Sequence, residues 1–251
     1  MNFTRAWIDQ HGMYNQKKIL AVIPARGGSK GITLKNLRKV AGKTLVGWVG
    51  HALKNTSLID RKIVSTDHTE IAQEAKLHQL EVPFMRPEEL SGDFISDLEV
   101  LTHVLVEAET FYNERYDIIV MLQPTSPART PAQIEEVIKK LADENLDAVW
   151  TVSETDLKFH PLKQLALDSN GLMDFFLKEG KAIVARQQLT PVYHRNGIAY
   201  AFTRACLLDQ KSIKGERTGV VVIEGKTPNI DSIEDLNFAE KVLTELNNPA
   251  H

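Results

Sequence analysis

The chain has 251 residues, 43% hydrophobic and 25% charged, with a formal net charge of −3. This suits one substantial soluble α/β domain. With no arm concentrating Lys and Arg, it argues against a general nucleic-acid binder, so an anionic ligand has to be held by local devices. A single cysteine, Cys206, leaves no internal disulfide and no structural zinc site, and points to a reducing cytoplasm.

Residues 1–17 are polar and carry no apolar run; they read as an N-terminal extension, disordered or loosely docked, rather than a signal peptide. The domain proper is expected over 18–249. KILAVIP (18–24) is a continuous apolar run, the mark of a strand buried on both faces of a parallel sheet. A loop rich in Gly, Lys and Arg follows (25–36), then a helix over 44–55 and a strand over 61–66. The next helix, 67–78, has Asp67 or Thr69 near its cap. VPFM (82–85) reads as a short strand, 96–112 as a long helix beginning at Ser96, and YDIIVML (116–122) as a strong strand. Thr130 as N-cap and Pro131 in the first turn open a helix over 130–144, and 147–153 is another strand.

Strands alternating with helices predict a Rossmann-like, mostly parallel sheet with helices on both faces, and ligands beyond the carboxyl ends of the strands. The alternation stops after residue 153. Segments 160–167 and 172–185 look like short strands or a hairpin with a polar tip at Asp168-Ser169-Asn170-Gly171, a protruding arm rather than another βα unit. Strand character returns over 198–203 and 219–224, and 232–246 closes the chain as a helix. No apolar stretch is long enough to cross a bilayer.

The chemistry concentrates in ARGGSKG (25–31), followed by Lys35 and Asn36. Its glycines, Gly28 among them, let backbone approach a ligand, and successive N–H groups in such a loop cradle phosphate oxygens. Arg26, Lys30 and Lys35 add three cations within ten residues, and Ser29 adds a hydroxyl. The spacing is neither GxxxxGK[ST] nor GxGxxG. The competing reading is a solvated basic loop.

IPARGGSKGITLKN resembles the amino-terminal signature of the N-acylneuraminate cytidylyltransferase family. RPEELSGD (86–93), LQPTSPART (122–130), HPLK (160–163), ARQQLTPVYHRNGIAY (185–200) and NIDSIEDLNFAE (229–240) resemble further segments of that family in the same order, so the likeness runs over nearly the whole chain from residue 18. It implies attack of a 2-keto acid sugar's anomeric hydroxyl on the α-phosphate of CTP, giving CMP-sugar and pyrophosphate. It implies Arg26, Ser29 and Lys30 on the triphosphate, with Arg26 and Lys30 as the catalytic cations. Lys35 and Asn36 support the loop or the nucleotide, and Arg86 and Ser96 lie in the region that reads the cytosine. For Arg86 a surface pair with Glu88 or Glu89 competes; Asp93 reads more simply as a helix cap.

For the sugar, the resemblance points to Gln123, Thr125 and Ser126, and to Arg186, Asn196 and Tyr200. Gln123 stands where many nucleotidyltransferases carry a metal-binding aspartate, and its amide suits a hydroxyl or N-acyl group. Arg186 is the choice for the substrate carboxylate, because a guanidinium grips a carboxylate bidentately, and a partner subunit is the implied source. The match departs at His194 and Arg195, where family members often have Arg and Pro, which leaves the sugar itself open. The metal, Mg²⁺ or Mn²⁺, falls to Asp231 with Asn229, where the family typically has two aspartates; an N-cap role for Asp231, with Ser232 as competitor, is the alternative. The resemblance further implies a homodimer joined by an arm within about 154–190. Legionaminic, pseudaminic, Kdo or Kdn-type acids are alternative sugars, and a non-catalytic nucleotide-sugar-binding protein is the alternative of another class.

Overall fold

A computed structural model of the chain describes residues 14–247. Its elements run β1 (Ile19–Pro24), β2 (Lys39–Val40), β3 (Lys43–Thr44), α1 (Leu45–Leu53), β4 (Arg61–Ser65), α2 (Thr69–Leu77), α3 (Asp97–Tyr112), β5 (Ile118–Met121), α4 (Pro131–Asp143), β6 (Ala148–Glu154), β7 (Leu165–Leu167), β8 (Met173–Phe175), β9 (Tyr193–Thr203), α5 (Arg204–Leu208), β10 (Thr218–Val222) and α6 (Ile233–Asn247).

Six strands form one sheet in the order β10-β6-β9-β5-β1-β4. β1 pairs parallel with β4 and β5, and β10 pairs parallel with β6. β9 is antiparallel to both of its neighbours, so the residues that open it lie at the same sheet edge as the carboxyl ends of β1 and β5. That edge is where ligands of such sheets bind. Ile19, Ala21 and Ile23 face the cluster built with α1, α2 and α4; Leu20 and Val22 face the cluster built with α3 and α5. Period-two alternation, buried on both sides, explains why β1 reads as an unbroken apolar run. A third, smaller cluster seats α6 on the β2–β3 hairpin through Ile32, Trp48, Ala239 and Leu243.

The helix starts follow local chemistry. Thr44, Ser96 and Thr130 cap α1, α3 and α4, the latter two as reciprocal capping boxes with Glu99 and Gln133. α2 differs from expectation: its N-cap is His68, with no side-chain cap. Asp67 instead accepts a hydrogen bond from the Gly27 amide at 2.8 Å, across to the loop after β1. The strand expected over 82–85 does not form. Glu81 makes a single parallel bridge to Ile63, and Pro83, which has no N–H to give, interrupts any ladder.

Residues 160–185 do contain a hairpin, β7–β8, turning through Asp168 to Gly171. Of the expected extension, residues 1–13 lie outside the described residues. Residues 14–17 form a tight turn with the Tyr14 ring buried and its hydroxyl donating to Asp143. Cys206 is buried, its thiol donating to the Ser212 carbonyl at 3.1 Å. Among the described residues no helix is long and apolar enough to cross a membrane.

Candidate active site

A cleft of about 620 Å³ opens at the carboxyl ends of β1 and β5. Arg26, Ser29, Lys30, Lys35 and Asn36 line one wall; Arg86, Asp93 and Asp97 line a second; Gln123, Thr125, Asn229 and Asp231 close the third. Residues scattered over two hundred positions thus meet at one place.

The loop after β1 is built to stay open. A Cβ on Gly27 would come within 2.9 Å of the His68 ring, and one on Gly31 within 2.5 Å of the Asp231 carbonyl. These glycines therefore let the loop pack against α2 and against the 229–231 segment. Gly28 faces open space. Asn36 is buried and its amide holds the Arg26 carbonyl at 2.9 Å. The Lys35 ammonium donates to the Ile230 carbonyl at 2.9 Å and to Asp231 Oδ1 at 2.8 Å. Asn36 thus supports the loop, while Lys35 ties it to the segment expected to hold a metal.

Asp93 is not a helix cap, because Ser96 fills that place. Its carboxylate bridges Arg26 at 2.9 Å and Lys30 at 2.7 Å. Lys30 and Arg26 hold that carboxyl below its usual range. An anion therefore already sits between the two cations expected to hold phosphates, which shows that the pair can share one negative group. Arg86 is 6% exposed, not a surface residue paired with Glu88 or Glu89. Its guanidinium donates to the Ser65 hydroxyl and carbonyl at 2.9 and 2.6 Å, and burial pushes its pKa down to about 10.

Four expected ligand residues are placed otherwise. The Ser96 hydroxyl is consumed as the cap of α3, while its neighbours Ile95 and Asp97 line the cleft. Ser126 is buried and donates to the Asn196 carbonyl at 2.8 Å. Asn196 and Tyr200 serve an irregularity in the β6–β9 pairing between Trp150 and Val152. Gly197 there has φ +74°, the left-handed region. The bulge frees backbone groups inside the sheet, and buried ones need partners. The Tyr200 hydroxyl accepts from the Gly197 amide at 2.6 Å, Asn196 Oδ1 accepts from Thr151 at 2.6 Å, and Asn196 Nδ2 donates to Ser153 at 3.1 Å. The NG…Y pattern is thus a bulge-closing network behind the cleft wall. Arg129, which sequence reasoning passed over, is buried nearby and donates to the Gln123 and Gly197 carbonyls, stapling the turn after β5 to β9; burial pushes its pKa down to about 9.

Arg186 lies on an exposed 3₁₀ turn and is not among the cleft-lining residues. His160 and His194 also stand apart: His160 is buried against the Thr190 carbonyl, and His194 meets the Thr155 hydroxyl.

The residues for a metal fit in part. The cap of α6 is Ser232, whose hydroxyl accepts from the Asp235 amide while Asp235 returns to the Ser232 amide. Asp231 is therefore free of capping, and its side chain is 71% exposed at the cleft. Asn229 Nδ2 lies 3.4 Å from Asp231 Oδ2. Among the described residues no group of three His, Cys, Asp or Glu gathers to cage an ion. One carboxylate suits a hard divalent cation that completes its shell with phosphate oxygens and water.

A family model described as Cytidylyltransferase matches residues 20–248. The chain is 32% identical over 235 residues to "CMP-N,N'-diacetyllegionaminic acid synthase" of Legionella pneumophila, covering 93% of this chain and 99% of that one. It is 29% identical to "Pseudaminic acid cytidylyltransferase" of Campylobacter jejuni, covering 92% and 97%. "N-acylneuraminate cytidylyltransferase A" of Danio rerio is 35% identical over 150 residues, 57% of this chain and 34% of that one. Among solved structures, a CMP:2-keto-3-deoxy-manno-octonic acid synthetase complexed with CTP superposes with TM-score 0.66 at 18% identity, covering 91% of this chain and 99% of that one.

Proposed function

Because the chain belongs to the cytidylyltransferase family, we propose that it activates a 2-keto-3-deoxy acid sugar, sialic acid or a close relative, with CTP, giving CMP-sugar and pyrophosphate. The observation that carries this reading is the convergence of Arg26, Ser29, Lys30 and Lys35 with Asp231 at the carboxyl ends of β1 and β5. Transfer at a phosphate needs charge neutralisation and in-line positioning more than covalent catalysis. The triphosphate replaces Asp93 between Arg26 and Lys30, so two cations face the phosphate oxygens where charge builds. Arg86, held by Ser65, is fixed for a nucleotide contact. Gln123 and Thr125 meet the sugar, whose anomeric oxygen attacks the α-phosphorus as pyrophosphate leaves.

Magnesium, or manganese, would be held by Asp231 with the Asn229 carbonyl oxygen in a lesser part, and would supply further neutralisation of the triphosphate. A homodimer fits the arm, where Leu167 and Val184 are 73% and 89% exposed; apolar surface of this kind marks an interface. The lone, buried Cys206 suits a reducing cytoplasm. Among the alternative sugars, legionaminic-type acids are favoured by the relative that matches end to end at 32% identity.

The test is pyrophosphate release from CTP with a panel of 2-keto acid sugars, including legionaminic, pseudaminic, sialic and Kdo-type acids. Release with at least one acid, with CTP preferred over other nucleoside triphosphates, is expected. CTP binding without release across the panel would turn the reading toward a non-catalytic nucleotide-sugar binder.

A further inference from the structure

The four cations among the described lining residues, Arg26, Lys30, Lys35 and Arg86, come from the loop after β1 and the segment between α2 and α3. On the third wall Gln123 and Thr125 are neutral, and on the second wall Asp97 is anionic. Directly behind Asp97 stands Arg195, at the end of β9 that shares the ligand edge of the sheet.

Its guanidinium is held on three sides. The guanidinium carbon lies 4.8 Å from the centre of the Trp150 ring and 4.7 Å from that of Tyr200. Its Nη2 donates to Asp97 Oδ2 at 3.0 Å, and the side chain keeps 38% of its exposure. Two aromatic faces set the plane of the fork, and one carboxylate sets its rotation. An arginine fixed in this way loses little freedom when it binds an anion. A guanidinium has five donors, and the Asp97 contact uses Nη2, so an edge of the fork is left for a second carboxylate. His194, the preceding residue, points instead to Thr155; successive strand residues face opposite ways, and Arg195 lies on the side of Trp150, Tyr200 and Asp97, reaching the cleft through Asp97, which lines it.

We propose that Arg195 is a specificity residue that takes the carboxylate of the acid sugar from within the same chain, with Asp97 holding the fork in place until the substrate arrives. The proposal rests on the acid-sugar reading above. It differs from the expectation for Arg186, which would have to come from a partner subunit. The competing account makes Arg195–Asp97 a latch between β9 and the start of α3.

The experiment uses the full-length protein, CTP, N,N'-diacetyllegionaminic acid and the carboxamide of that acid. Steady-state kinetics are measured for the wild type, Arg195→Ala, Arg195→Lys and Arg186→Ala, beside CTP affinity by calorimetry without sugar and thermal melts. In Arg195→Ala the KM for the acid should rise by about tenfold or more, the scale of one lost charge-assisted fork. CTP affinity should hold within about twofold, because the site of the loss is not the nucleotide's. Arg195→Lys should recover the KM only in part, since a point charge lacks the fork. The carboxamide, which has no charge to lose, should be turned over with a KM that differs little between wild type and Arg195→Ala. Should Arg195→Ala fail to fold, Arg195→Lys reads the same separation of acid from carboxamide. A lower melt with an unchanged acid KM makes the pair a latch and overturns the proposal. So does a rise in acid KM found in Arg186→Ala and not in the Arg195 variants. If the wild type binds CTP yet turns over no acid sugar, the acid-sugar reading falls before any variant is made, and Arg195 falls with it.

Discussion

The wall of the cleft built from residues 25–36 and 229–231 and the strap running from 155 to 192 both lie outside the regular βα units, yet they are finished to different degrees. In the wall, Arg26 and Lys30 share Asp93, Lys35 holds Asp231, and Asn36 holds the loop's own backbone. In the strap, the β7–β8 hairpin turns leucine side chains such as Leu165 and Leu167 to solvent, and Phe176 and Val184 follow them. A wall whose polar groups are partnered inside one chain can be read one chain at a time. Exposed apolar residues gathered in this number are the mark of an interaction surface.

Lys30→Ala is the hardest blow to the finished half. Turnover should fall by about 10²–10³-fold, the scale of losing one preorganised group on developing charge. The melting temperature should hold, because the Lys30 side chain is 78% exposed and packs little. Near-normal turnover would mean that the loop is a solvated basic surface. Asp231→Ala should act in the same way on rate and leave the melt alone.

The arm is tested by charge. Leu167→Asp with Val184→Asp should give a monomer by light scattering, with sugar turnover reduced by about tenfold or more and CTP affinity kept. A fully active monomer would show that the sugar half, too, is complete in one chain.

A smaller effect is expected at Asn229. Asn229→Asp adds the anionic oxygen that a hard cation prefers, so the magnesium concentration for half-maximal rate should drop by a few fold, roughly the change a single added carboxylate makes. An unchanged titration would place the metal away from this pair. The smallest effect separates metal from cap: Ser232→Ala should cost about 0.5–2 kcal/mol of stability with magnesium dependence intact, the reverse of Asp231→Ala.

These two regions were not equally legible. β1 and β5 carry their burial on both faces as unbroken apolar runs, and Thr130-Pro131 announces α4, so the sheet and its ligand edge could be read directly. The loop after β1 was legible because glycines and cations crowd into ten residues. Ser96, Asn196 and Tyr200 have structural partners for a common reason. A motif records that a residue type is needed, and a cap or a bulge needs a hydroxyl or an amide as much as a ligand does. The opening of β9 escaped notice because Tyr193, His194 and Arg195 are exposed and polar, with no apolar pattern to mark a strand. Nothing in the order of residues announces that Asp93 will lie between Arg26 and Lys30, since that meeting exists only after folding.

Cys206 has a practical use at the bench. Its thiol is buried, and that burial pushes its pKa up to about 11, while thiol-reactive dyes attack the thiolate. With no other cysteine in the chain, the native protein is nearly blank to maleimide chemistry near neutral pH. A single cysteine introduced at the hairpin tip, for example in place of Ser169, would then carry a fluorophore by itself. Energy transfer between donor- and acceptor-labelled copies would show in real time whether copies associate, without first rebuilding the scaffold.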